Sequence, residues 1–150
     1  MKPYEYGMWI WDVLLSPLKG HKESVNSVVY SSNGHHLTSG SEDESIPIWN
    51  GHTGQSAGEP IAAGCSLYAV AVTPDGETIA GGCEDGRIVA YDASTYTKIF
   101  ECTGHTKPVW SVAFSPMGNL MASASRGRAI RIWETTTGRT VGKPLTGHAS

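Results

Sequence analysis

The chain has 150 residues, enough for one ordinary domain, and its 39% hydrophobic and 17% charged residues suit a folded chain rather than a disordered one. A net charge of −3 without a clustered Lys/Arg run argues against a nucleic-acid surface, which needs a basic face to meet phosphates. No apolar run approaches the roughly 20 residues that cross a bilayer, and the N-terminal MKPYEYGMWIW lacks a signal-peptide core; the expectation is an intracellular, cytoplasmic protein with no membrane and no nucleic-acid partner.

Along the chain a period of 42 residues sets the order. Gly20-His21 and Gly104-His105 stand 84 residues apart, twice 42, with a weaker copy beginning at Ala62 between them. Trp49, Tyr91 and Trp133 share one phase of the period, and Trp11 holds that phase for an earlier unit. Residues 1–150 thus read as one array: 8–19 the end of an incomplete unit, 20–61 the first unit, 62–103 a degenerate second, 104–146 the third, and 147–150 the opening of a unit that is not written.

Each unit offers the same short strands. VNSVVYS, LYAVAVT and VWSVAFS come first. Simple alternation places Val28, Val70 and Val112 on one face and Val25, Leu67 and Val109 on the other, so both faces are expected to be buried. SSNG, TPDG and SPMG follow as tight reversals. HLTSGS, TIAGGC and LMASAS read as second strands. IPIWN, RIVAYD and IRIWE read as third strands, and KIFEC as a weaker fourth. Pro47 lies inside a third strand, where it removes a backbone donor and is awkward anywhere but an edge or an irregularity. No segment carries a helical period.

Cysteines and histidines add little at this level. Cys65, Cys83 and Cys102 are odd in number and show no CxxC spacing, so they are expected as thiols acting as small apolar residues, without a disulfide. The six His are scattered, and the adjacent His35 and His36 point to opposite faces of a strand, poor geometry for a metal. No cofactor is expected.

The Gly-His opening, the SPxG turn, the SGSxD step and the terminal IW[DNE] resemble the WD-repeat proteins, over roughly residues 8 to 148. The phrase TGxxxGxP, present as TGQSAGEP (53–60) and TGRTVGKP (137–144), is similar to WD repeats at the C-terminal end of fungal and cyanobacterial NTPase-type signalling proteins. The resemblance implies an all-β fold: antiparallel four-stranded blades of a β-propeller, about three full blades plus a partial N-terminal one, forming an open arc or half ring. It also implies a structural hydrogen-bond network of His21, Ser39, Asp43 and Trp49. The second unit keeps only Asp85, with Ala63, Gly81 and Tyr91 at the other places. The third keeps His105, Ser123 and Trp133 but has Gly127 for the acid. A Ser, a His and an Asp invite a hydrolase reading. Recurrence of these positions unit by unit is what mutual satisfaction of buried polar groups requires, and a single active site does not.

Partners of the family dock around the central channel. Carried onto this chain, the contact positions are Ser24, Asn26 and Glu42, then Ser66, Tyr68 and Glu84, then Pro108, Trp110 and Arg126. Tyr68, Trp110 and Arg126 are residue types enriched at binding hot spots. Glu42 and Glu84 favour a basic peptide, and Arg126 opposes a uniformly acidic surface. The competing reading of Trp110 is packing against a neighbouring blade.

The expected function is a non-catalytic protein–protein interaction scaffold or ligand-sensing module belonging to a larger signalling protein. The other reading is a truncated or degenerate repeat fragment without independent activity. No GxxxxGK[ST] and no HExxH is present to support an enzyme. Expected partners are proteins or peptides, including further copies of the chain that complete a ring, because half a ring leaves two apolar blade faces bare.

Overall fold

Twelve strands and no helix make up the computed structural model, which describes residues 17–147. The second unit forms a complete blade. Here β6 (Leu67–Val72), β7 (Thr78–Cys83), β8 (Ile88–Asp92) and β9 (Lys98–Cys102) pair antiparallel in that order. The third unit pairs β10 (Val109–Phe114), β11 (Leu120–Ser125) and β12 (Ala129–Glu134). Its fourth strand is reduced to bridges from Ile130 to Leu145 and from Trp133 to Thr140. Trp11 and the other residues up to 16 of the incomplete N-terminal unit, and the unit opening after Gly147, lie outside the described residues.

The first unit is the irregular one. Its β1 (Val25–Tyr30), β2 (His36–Ser41) and β4 (Ile48–Asn50) form one sheet, while β3 (Ser45–Ile46) pairs with β5 (Ile61–Ala62). Pro47 sits at the break between β3 and β4, where it offers only its carbonyl, which accepts from Ser39 N at 3.3 Å. The missing N–H thus divides a third strand into two pieces instead of abolishing it.

The first reversal is the same in every unit. Gly34, Gly76 and Gly118 have φ of 74°, 78° and 76°, the left-handed region a side chain resists. Their N–H groups donate to Ser31 O, Thr73 O and Ser115 O, each at 2.8 Å. The turn chemistry of SSNG, TPDG and SPMG therefore sets the hairpin register directly.

Two apolar seams join the blades. One gathers Ile46, Ile48 and Ile61 of the first blade with Leu67, Val70, Ile79 and Val89 of the second. The other gathers Ala69, Ala71, Ala80 and Ile88 of the second with Val109, Val112, Met121 and Trp133 of the third. Leu67 and Val109 are fully buried, and each contributes about 1.5–3 kcal/mol by leaving water.

Simple alternation misplaces the first strands. A β-bulge interrupts the pairing between Val25 and Ser27, between Leu67 and Ala69, and between Val109 and Ser111. The extra residue resets the alternation, so Leu67 and Val70 share a face, as do Val109 and Val112. A side-chain atom at Gly40 would lie 2.7 Å from Val70 and 3.3 Å from Leu67; one at Gly82 would lie 2.8 Å from Val109 and 3.1 Å from Val112. Burial on both faces holds for β6 alone. In β1, Val25 and Val28 are 54% and 61% exposed, because no described blade precedes them.

The cysteines also correct the sequence reading. Cys65 and Cys83 form a disulfide, with Cα atoms 5.8 Å apart, leaving Cys102 as a buried free thiol. Cys83 ends β7, and Cys65 lies in the loop entering the same blade. The fold brings together two residues 18 positions apart that no local motif links.

Candidate functional site: the entry-loop end of the blades

Each blade must fasten the loop that enters its first strand, and the three do so differently. In the first blade, His21 Nδ1 lies 2.9 Å from Asp43 Oδ2 and His21 Nε2 lies 2.7 Å from Ser39 Oγ. Trp49 Nε1 donates to the same Ser39 oxygen at 3.1 Å. Ser45 N, in the Asx turn that follows β2, and Lys22 N, in the loop that enters β1, also donate to Asp43. Burial by itself would raise the Asp43 carboxyl. Hydrogen bonds from Ser45, Lys22 N and His21 outweigh it and hold the group well below the usual carboxylate range. Ser39 and Trp49 are buried, and the indole edge faces the His21 ring at a centroid distance of 6.4 Å. A buried hydroxyl already engaged by an indole N–H and an imidazole is a poor nucleophile for an outside substrate.

The third blade repeats this arrangement without the acid. His105 Nε2 lies 2.7 Å from Ser123 Oγ, and Trp133 Nε1 donates to that oxygen at 2.8 Å. Gly127 stands where Asp43 stands. The turn is nonetheless preserved: Gly127 N donates to Ser125 Oγ at 3.1 Å, as Asp43 N donates to Ser41 Oγ at 3.0 Å. Burial first, and then the nearby Arg131 charge, lower the His105 pKa below its ordinary value.

In the second blade, Ala63, Gly81 and Tyr91 remove the network, and two other devices occupy the place. Asp85, left without a histidine, pairs with Arg87 at 2.8 Å, and Arg87 also reaches Gly64 O in the entry loop at 3.4 Å. The Cys65–Cys83 bond joins the positions that Ser41 Oγ to Glu23 O joins in the first blade (3.4 Å) and Ser125 Oγ to Lys107 O joins in the third (2.9 Å). A covalent link replaces a hydroxyl–carbonyl hydrogen bond at the one blade that has lost its His, Ser and Trp.

The positions implied as partner contacts lie at this same end. Glu42 N donates to Ser24 O, Glu84 N to Ser66 O and Arg126 N to Pro108 O, at 2.9–3.0 Å, so each pair is held together by its blade. Some of these side chains are engaged between blades. Asn26 Nδ2 donates to Leu67 O at 2.9 Å, and Ser66 Oγ donates to Glu42 O at 3.2 Å. Tyr68 and Pro108 are half-buried, while Ser24, Glu42, Glu84 and Arg126 are exposed. Trp110, the extra residue of the third bulge, is 59% exposed while its neighbours Val109 and Val112 are buried.

Beside it, Lys107, Arg126, Gly127 and Arg128 line a shallow depression of about 490 Å³. Sequence reasoning named Arg126 but not Lys107 or Arg128. The signal was available: the unit that lost its turn acid carries cations on both sides of the gap. Among the described residues, no group of three or more His, Cys, Asp or Glu is placed to hold a metal, and no helix is long and apolar enough to cross a membrane.

Comparison with known proteins agrees with this architecture. The family model for the WD domain, G-beta repeat, matches residues 10–50, 58–92 and 96–134. The WD repeat-containing protein SL1-17 of Schistosoma mansoni is 32% identical over 136 residues, 88% of this chain and 45% of that protein. The nuclear distribution protein PAC1 of Gibberella zeae is 34% identical over 145 residues, 88% of this chain and 31% of that protein. The chain therefore spans less than half the length of these relatives. The solved structure of the RRP9 WD40 repeats superposes with a TM-score of 0.82 at 24% identity, covering 88% of this chain and 41% of that one. The structure of U3-55K gives 0.81 at 24% identity, covering 88% and 42%.

Proposed function

The chain belongs to the WD-repeat family, and from that premise we propose that it is a non-catalytic platform that binds a partner protein or peptide at the entry-loop end of its blades. WD repeats generally serve protein–protein interaction, and the observation that supports this reading here is the Trp110 surface. A large aromatic residue is 59% exposed on a strand, next to the basic depression of Lys107, Arg126 and Arg128. An aromatic anchor beside Arg is the composition of a binding hot spot, and a rigid strand presents it at little cost in conformational entropy. Glu42 and Glu84 give the first two blades the opposite sign, so the best partner is a segment with an acidic end over the third blade and a basic end over the others. Membership of a larger signalling protein is part of the same proposal, supported by the TGxxxGxP phrases.

The test starts from a random peptide library displayed on phage and selected on the whole chain. Selected peptides are then measured on Trp110→Ala and Arg126→Glu. Loss of about tenfold or more in affinity on Trp110→Ala is expected; peptides that bind both variants as they bind the parent chain overturn the reading. The proposal places the chain inside the cell. Disulfides persist mainly in oxidising compartments, so the redox state of Cys65 and Cys83 in freshly trapped cell extracts reports on that placement: a reduced pair supports it and a fully oxidised pair opposes it.

A further inference from the structure

At the opposite end of the blades, where the SSNG and TPDG turns lie, the joint between the first and second blades is open. A cleft of about 630 Å³ enters it, with Ile48, Val72 and Ile79 among its apolar lining. The internal repeat shows why it exists. At the next joint, Phe114 stands at the position of Val72 and Phe100 at the position of Gly58, and both phenylalanines pack against the core of that joint. Phe100 also presses on Gly138, where an added side-chain atom would meet its ring at 2.7 Å. In the first joint the aromatic comes from the other side. Tyr96 occupies the position of Gly138, lies over Gly58 and donates its hydroxyl to Ala57 O at 2.7 Å. Two phenyl rings are thereby exchanged for a valine and a glycine, and the space between is left to solvent.

The fixed charges of that lining have one sign. Asp75, Glu77 and Asp92 line it together with the His36 ring, and no Lys or Arg does. In the next unit Met117 and Asn119 stand at the positions of Asp75 and Glu77, while Glu134 keeps the acid of Asp92, so two of the three carboxylates belong to this joint and not to the repeat. Asp75 accepts from Thr73 Oγ1 and Glu77 N, and Asp92 accepts from Ser94 and Thr95 N. These bonds orient the carboxylates, and no Lys or Arg of the lining compensates their charge. Apolar walls, three carboxylates and the Tyr96 ring match an aliphatic stem with a planar cation at its end.

We propose that the cleft between the first two blades binds an arginine-bearing segment of a partner peptide, the arginine stem lying on Ile48, Val72 and Ile79 and its guanidinium among Asp75, Glu77 and Asp92. The site is separate from the entry-loop end and does not rest on the reading of Trp110.

The probe is a fluorescein-labelled Ala-Leu-Arg-Leu-Ala peptide with blocked ends, titrated by anisotropy on the whole chain, with amide shifts followed by NMR. Saturable binding with Kd on the order of 100 µM is expected, with shifts at Val72, Glu77 and Asp92. Replacing the arginine by citrulline should abolish it. Glu77→Gln, an exposed change, should weaken it about fivefold or more. Val72→Phe, which copies the next joint, should remove it, while Glu134→Gln should leave it unchanged. No saturation up to millimolar peptide, equal affinity for the citrulline peptide or for Glu77→Gln, or shifts confined to the Trp110 region would each overturn the assignment.

Discussion

Restoring the missing acid of the third blade isolates what the hydrogen-bond network is worth. Gly127 is the natural position. Its N–H already makes the bond to Ser125 Oγ that Asp43 makes to Ser41, and the next residue, Arg128, has φ of 65° where Glu44 has 67°. An added Cβ at Gly127 meets nothing closer than 3.5 Å, so Gly127→Asp enters a turn of the right shape with room for its side chain. The carboxylate should reach His105 Nδ1 as Asp43 reaches His21. A hydrogen bond involving a charged group is worth about 1.5–3 kcal/mol, and replacing Gly in a compatible conformation adds about 0.5 kcal/mol through the unfolded chain. Ala129 stands where Ser45 bonds Asp43, which argues for the lower part of that range. A gain of about 2 kcal/mol should raise Tm by about 4–8 °C in a chain of this size. Thermal melts followed by circular dichroism measure it, and NMR titration of His105 supplies a second readout. A neighbouring carboxylate favours the imidazolium, so the lowered pKa of His105 should move up. An unchanged Tm together with an unchanged His105 titration would refute the account of the network given above.

Four further outcomes are expected. Reducing Cys65–Cys83 should cost about 3 kcal/mol by the chain-entropy relation for a loop of this length. Tm should fall on adding reductant to the parent chain but not to the Cys65→Ser/Cys83→Ser double variant. A thiol reagent should find no reactive group in the native chain, because burial pushes the Cys102 pKa up to about 12, and three groups after unfolding with reductant. Acid should act in two steps. The folded-state pKa of His105 is lowered from 6.5, so its contribution is complete above pH 6.5 and is lost as pH falls below that value. The Asp43 carboxyl is lowered from 3.8, so its contribution is lost only below about pH 4. Urea melts from pH 8 to pH 3 should show both steps, and Asp43→Asn should shrink the second, to which Asp75, Asp92 and Glu101 also contribute through their lowered carboxyl pKa values. Gly82→Ala places a methyl 2.8 Å from Val109 Cγ1 and should cost about 1–3 kcal/mol by overpacking the seam. Gly127→Ala has no positive φ and meets nothing closer than 3.5 Å, so it should cost nothing, and an equal loss there would show that the seam argument is wrong.

The first strands, the reversals and the third strands are legible in the sequence alone. Each rests on neighbours in sequence: an Asn-Gly or Asp-Gly at a reversal, β-branched residues before it, an indole closing the third strand. The bulge was not legible. Val25, Leu67 and Val109 alternate acceptably with Val28, Val70 and Val112, and no residue type marks the inserted position. Its effect appears only when the partner strand is present to count against. Arg87 was passed over for a related reason, since Asp85, Glu101 and Gly64 O meet its guanidinium only once the blade is folded.

By itself, then, the sequence determined the elements that local chemistry can specify: short strands joined by reversals in each unit, glycine at the left-handed turns, and a Trp, Ser and His set shared in phase by the first and third units. Only the tertiary structure decided which faces meet. It brought Cys65 to Cys83, put Leu67 and Val70 together against Gly40, left Trp110 in solvent, and opened a cleft where Gly58 and Val72 replace two phenylalanines. These depend on distances between units, which register and packing set and a linear pattern does not contain.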